Sequence, residues 1–176
     1  MDEILKGGAG MPDGWQRLWA PHRMQYLSGE NRPLPGNSVE CPFCRIPSLS
    51  DEEGLIVHRG KEAYVVMNLY PYNAGHLLIC SNRHVADLTE LTVTERNEIS
   101  ELSAHAMKTL RKVSRASGFN LGMNQGDVSG AGVAGHIHQH VVPRWAGDAN
   151  FMPIIGKTKV LPQLLQETRA ALAAGW

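Results

Sequence analysis

Gly135-His136-Ile137-His138-Gln139-His140-Val141-Val142-Pro143-Arg144-Trp145 places three histidines at alternate positions in a largely apolar run. In extended backbone successive side chains point to opposite faces. His136, His138 and His140 are therefore expected on one face at steps of roughly 6–7 Å, with Ile137, Gln139 and Val141 on the other. Imidazole titrates near neutral pH, ligates metals and can act as nucleophile or proton shuttle. The alternative is a polar strand face of hydrogen-bonded histidines. Burying several imidazoles without partners is costly, so three in alternation point to chemistry.

The rest of the chain bounds that chemistry. Its 176 residues suit one domain with a core of its own. Lys and Arg together number 17, as do Asp and Glu, so neither a nucleic-acid patch nor a polybasic membrane segment is expected. No apolar run is long enough to span a bilayer, and the first residues lack a signal-peptide pattern, which points to the cytoplasm. Three cysteines cannot all pair within the chain, and Cys80, after Leu77-Leu78-Ile79, reads as a buried small hydrophobe.

Residues 1–40 are rich in Gly and Pro and read as an N-terminal arm anchored by Trp15, Trp19 and Tyr26, with residues 41–176 as the domain. Strands are expected over 56–58 and 62–68, joined by a turn at Arg59-Gly60-Lys61, and over 76–80. Ile99, Leu102, Ala106, Leu110 and Val113 form one apolar stripe, predicting a helix over 94–117 with a Thr92/Glu95 capping box and Gly118 as its stop. A short strand over 120–124, the histidine strand ending at Pro143, and a C-terminal helix over 161–174 with Pro162 in its first turn complete the order. Hairpins with segregated helices give an α+β fold with an antiparallel sheet.

Cys41-Pro42-Phe43-Cys44 has several readings. It is half of a tetrahedral zinc site, completed by His84 and one of the three histidines, or a redox pair, or two unlinked thiols. The Gly-rich run 126–135 leads directly into the histidines, and its backbone can approach a ligand closely or form an anion-binding nest. It is neither a Walker loop nor a dinucleotide fingerprint, because no Gly-Lys-Ser/Thr and no helix follow it.

Taken together, His136-Ile137-His138-Gln139-His140-Val141-Val142 with Pro143-Arg144 resembles the signature of the histidine triad (HIT) family of nucleotidyl hydrolases and transferases. Asn68-Leu69-Tyr70-Pro71-Tyr72-Asn73-Ala74-Gly75-His76 resembles the family's nucleoside-binding segment, and Ser81-Asn82-Arg83-His84 stands where members carry Pro-Lys-x-His. Gly118-Phe119-Asn120-Leu121-Gly122-Met123-Asn124-Gln125-Gly126 resembles the run before the triad. Leu18-Trp19-Ala20-Pro21 and the segment from Trp145 to Pro153 resemble the branch that contains bacterial diadenosine tetraphosphate (Ap4A) phosphorylases.

The resemblance implies a five-stranded antiparallel sheet, a long helix and a C-terminal helix, usually in a homodimer. It implies cleavage of dinucleoside polyphosphates through a nucleotidyl-histidine on His138, with phosphate as the second acceptor and Ap4A yielding ATP and ADP. Water as acceptor (a hydrolase), a nucleoside phosphoramidase and a catalytically silent nucleotide-binding protein are the alternatives. His140, Asn124 and the backbone around Gly126 would hold phosphate oxygens. Asn68 stands where an acidic residue usually bridges the ribose hydroxyls. Gly132 and Val133 replace a Gln-Ser pair that lies near the leaving group in many members. Structural zinc, as in some bacterial members, maps onto Cys41, Cys44, His84 and His136. Trp145 is expected to stack on a base or to close the strand end, and His76 to act through packing or hydrogen bonding of its strand. His105 is expected to face solvent.

Overall fold

Short apolar runs separated by Gly- and Asn-containing turns build an antiparallel sheet here, as the sequence pattern predicts. The computed structural model describes residues 41–148 and 162–176. The expected arm over 1–40 and the segment 149–161 lie outside the described residues. The strands are β1 (Ile56–Arg59), β2 (Ala63–Met67), β3 (Leu77–Ser81), β4 (Gly118–Gly122) and β5 (His138–Arg144). They form one five-stranded sheet in the order β1-β2-β3-β5-β4, every neighbour antiparallel. Among the described residues the α-helices are α1 (Pro42–Arg45), α2 (Val93–Ser114) and α3 (Leu165–Gly175).

β2 and β3 are buried along their whole lengths, as expected of central strands covered on both faces. The β3–β5 register sets Cys80 opposite His138 and Leu78 opposite His140, so these side chains share one face. Gln139 and Val141 point to the other face, where Ile99, Leu102, Ala106 and Leu110 of α2 are buried. Val113, the last residue of the expected stripe, stays partly exposed and packs instead against the end of α3. A Cβ on Gly175 would come within 2.5 Å of the Val113 side chain, so a glycine lets the helices approach there. The terminal Trp176 indole stacks between the rings of His58 and His105, the latter exposed as expected.

The expected capping box is present. Thr92 accepts from the Glu95 N–H, and Glu95 accepts from the Thr92 N–H. Most boundaries agree to within a residue, and the larger differences have local causes. Helix α2 ends at Ser114, three residues early, because Arg115 takes the left-handed cap conformation and the Ser117 N–H is drawn to Arg144 O. Sheet pairing then recruits Gly118, so β4 covers 118–122 rather than 120–124. β5 begins at His138, since the Ile137 N–H leaves the ladder to bond Val85 O. α3 starts at Leu165 because Leu164 is extended, which leaves Pro162 ahead of the helix. Helix α1 was not anticipated. It is a single turn with Pro42 at its start, where a missing N–H costs nothing.

The buried Glu95 carboxylate does a second job. It accepts two hydrogen bonds from Arg83, at 2.8 and 2.9 Å, and so ties the segment leading to His84 onto the start of α2. The Arg83 hydrogen bonds, and next the Thr92 N–H, hold its pKa down to about 2. Arg83 is half exposed, so the ion pair is partly screened and the cap supplies much of the stabilisation. Glu95→Ala is expected to lower stability by about 2 kcal/mol, seen as an earlier urea midpoint. A loss under about 0.5 kcal/mol would place the interaction with ordinary exposed pairs.

Candidate active site and metal-ligand cluster

Two groups of side chains meet at the start of β5. The first is Cys41, Cys44, His84 and His136, whose ligand atoms all lie within 4.8 Å of one another. Cys41 caps α1 and Cys44 lies one turn on, so both sulfurs face the same side. The His84 Nδ1 is 3.2 Å from Cys44 Sγ, and the His136 Nδ1 is 3.5 Å from both sulfurs. Tetrahedral zinc with ordinary Zn–S and Zn–N bonds separates its ligand atoms by about 3.6 Å, so the donor set fits such an ion. The His136 Nε2–H donates to Ser81 O at 2.8 Å, which leaves the Nδ1 lone pair turned toward the sulfurs. Burial, then the charge and hydrogen bond of Cys41, push the Cys44 thiol up to about 11. A dication among the sulfurs would offset that repulsion and favour thiolates.

The second group surrounds the two histidines that lie within β5. The His138 Nδ1–H donates to the His136 carbonyl at 2.8 Å. Neutral imidazole has one donor and one acceptor, so the lone pair of His138 is on Nε2, the nitrogen that could attack phosphorus. Burial lowers the His138 pKa, and the carbonyl bond opposes that shift only in part, so the ring is neutral at pH 7. His140 is neutral as well: burial, and then the neighbouring His138, bring its pKa to about 4. His140 Nδ1 is 3.0 Å from His76 Nε2. Its Nε2 is buried with no hydrogen-bond partner among the described residues, as suits a group awaiting a ligand.

The three histidines are therefore not equivalent. His138 and His140 lie in the ladder with ring centroids 5.0 Å apart, whereas His136 precedes it and turns to the cysteines. Phe43 of α1 joins the two groups, touching the His136 ring at 5.6 Å and the His138 ring at 4.8 Å. Its carbonyl accepts the Tyr64 hydroxyl at 2.7 Å, which fixes α1 over the sheet. Phe43, Ser81 and Tyr72 are participants that sequence reasoning did not single out. Pro42 opening a helical turn was the available signal for Phe43; Ser81 and Tyr72 stand inside segments that resemble the family, but no individual role was read from them.

The remaining candidates are spread around the strand. The β4–β5 ladder ends with Gly122 opposite His140, and Asn124 follows two residues beyond that end. The loop after it is fastened by the Leu88 N–H donating to Gln125 Oε1. Gly126 and Gly130 both have positive φ, near +80°, so the loop requires glycine there. Gly132 and Val133 are half-buried, with Val133 packed on the core. Asn68 leaves β2 beside His76, its Nδ2 3.2 Å from His76 Nδ1. Trp145 lies at the far end of β5, where its indole N–H donates to Ser114 O at 3.0 Å; it closes the strand end. Gln139, the polar exception in its row, lines a groove of 390 Å³ with Ser103, Met107 and Leu121.

Comparison with known proteins agrees with this arrangement. The HIT domain profile matches residues 51–147. The AP-4-A phosphorylase of Mycobacterium tuberculosis (strain H37Rv) is 49% identical over 176 residues, covering 98% of this chain and 90% of that protein. The asymmetrical bis(5'-nucleosyl)-tetraphosphatase of Schizosaccharomyces pombe is 31% identical over 93 residues, 53% of this chain and 50% of that protein. A zinc-bound histidine triad family protein from Mycobacterium smegmatis shares the fold with a TM-score of 0.62 at 24% identity, covering 79% of this chain and 94% of that one. With the profile spanning more than half of the chain, and a relative at 49% identity covering nearly all of it, this protein belongs to the histidine triad (HIT) family.

Proposed function

We propose that this protein is a nucleotidyltransferase that cleaves dinucleoside polyphosphates, with Ap4A as substrate and phosphate as the second acceptor. The observation that carries the reading is the hydrogen bond from His138 Nδ1–H to the His136 carbonyl, which leaves Nε2 with its lone pair on a neutral ring. In the first step Nε2 attacks the α-phosphorus, the bond to the bridging oxygen breaks, and ATP leaves. In the second step a phosphate oxygen attacks the adenylyl-histidine and ADP forms as the P–N bond breaks. His140 Nε2, buried beside the nucleophile, would bind phosphate oxygens as charge grows on them. Asn124 and the backbone around Gly126, Gly132 and Val133 complete the phosphate side, while Asn68 is the candidate for the nucleoside side. The 49% identity to an AP-4-A phosphorylase supports phosphate as acceptor. The tetraphosphatase relative supports water, over only half of the chain.

Cys41, Cys44, His84 and His136 are proposed to hold structural zinc. Four protein ligands leave no open position, so the ion would organise α1 and the start of β5 rather than activate water. A reducing compartment such as the cytoplasm would keep the sulfurs available. A second copy of the chain is the proposed partner. β4 lies at the sheet edge with Leu121 exposed, and the groove beside it runs along α2.

Three measurements follow from this reading. Incubated with Ap4A and phosphate, the protein should yield ATP and ADP in equal amounts; AMP as product, at a rate indifferent to phosphate, would make it a hydrolase. His138→Asn should lose about a thousandfold or more in kcat, and full turnover in that variant would remove His138 as nucleophile. Elemental analysis should find stoichiometric zinc, lost with a fall in stability in Cys41→Ser. A metal-free preparation of equal stability, with Cys41 joined to Cys44, would establish the redox alternative instead.

A further inference from the structure

His76 is fully buried, and two donors converge on its Nδ1. The Tyr72 backbone N–H donates to it at 3.0 Å, and Asn68 Nδ2 lies 3.2 Å away. The Asn68 amide is oriented by its own Oδ1, which accepts the Tyr70 N–H at 3.0 Å and so leaves the NH2 side toward His76. A ring nitrogen facing two N–H groups must be the acceptor, and a neutral His76 therefore carries its proton on Nε2. That N–H faces His140 Nδ1 at 3.0 Å, which must accept in turn. The proton of neutral His140 is left on Nε2, the buried nitrogen with no partner among the described residues. Tyr72 covers the pair: its ring stacks on His140 at 5.5 Å and 15°, and lies 4.7 Å from His76.

We propose that Asn68, the Tyr72 backbone and His76 form a directional relay that sets the tautomer of His140, so that an N–H rather than a lone pair faces the substrate phosphate. Its catalytic meaning rests on the reading of His140 as a phosphate-binding group. A lone pair at that position would repel the oxygens whose charge grows in the transition state; the opposite tautomer attracts them. His76 and Asn68 are positioning residues in this scheme. The scheme also gives the asparagine a reason to be there: a carboxylate at position 68 could accept from His76 Nδ1 but never donate to it.

Nitrogen-15 NMR of the protein with labelled histidines reads the proton positions directly, without substrate. Failure of the relay is thereby separable from failure of the Ap4A assignment. Both His76 and His140 should be protonated on Nε2 and bare on Nδ1; a proton on His140 Nδ1 would overturn the proposal. Asn68→Asp should place a proton on His76 Nδ1. An unchanged His76 spectrum, together with a lower KM, would assign Asn68 to the ribose instead. His76→Phe should cut kcat about tenfold to a hundredfold with a smaller change in KM, and His76→Gln, whose amide can donate to His140, should recover part of the loss. Unchanged kcat in a folded His76→Phe would also overturn the relay, and if neither variant folds the wild-type spectrum alone decides.

Discussion

A buried neutral imidazole has one N–H and one lone pair, and each needs a matching group because water is not there to supply it. Everything about this site follows from meeting that requirement on adjacent rings. His136 spends its N–H on Ser81 O, so its other nitrogen faces the sulfurs. His138 spends its N–H on the His136 carbonyl, so its other nitrogen keeps the lone pair. Each ring takes its chemical character from the partner that holds its proton, and desolvation keeps the rings uncharged.

Strand β3 is the template for these assignments. Its last residue, Ser81, holds His136; Cys80 and Leu78 pair with His138 and His140; and His76, just before the strand, reaches His140. The register of one strand pair therefore determines which histidine does what. A slip of one residue would turn the whole row toward α2. The Thr92–Glu95 capping box and the Arg83–Glu95 pair extend that order to His84, because Arg83 is its immediate neighbour. Phe43 does the same for the cysteines, from the other side.

Much of this was legible in the sequence. Short apolar runs between turns, with strict alternation in β5, identified the five strands, and a 3.6 period identified α2. The spacing of Cys41 and Cys44 pointed to His84 and one of the three histidines, and the family resemblance named His136. Boundaries failed where a tertiary hydrogen bond outweighed local preference. The Ile137 N–H going to Val85 shortened β5, and the Ser117 N–H going to Arg144 ended α2 early. Strict alternation suggested three equivalent rings, yet alternation says nothing about where each proton sits. Proton positions depend on groups brought in from other strands, which is why the link from Asn68 through His76 to His140 had no one-dimensional signature. Trp145 was ambiguous for a similar reason, since its partner is a helix carbonyl 31 residues away.

The span of the cysteine–histidine cluster bears on how the chain folds. Cys41 and His136 are 95 positions apart, with the whole sheet apart from β5 and all of α2 strung between them. Closing so long a loop is entropically costly early in folding, so the cluster can assemble only once β3 and β5 have paired. A cation shared by the two ends would then act as a late clasp. Like a disulfide across the same interval, it would restrict the unfolded chain, a stabilisation of about 4–5 kcal/mol on the chain-entropy scale. The clasp would also slow the reverse process, because β5 could not peel from the sheet until the bridge opened.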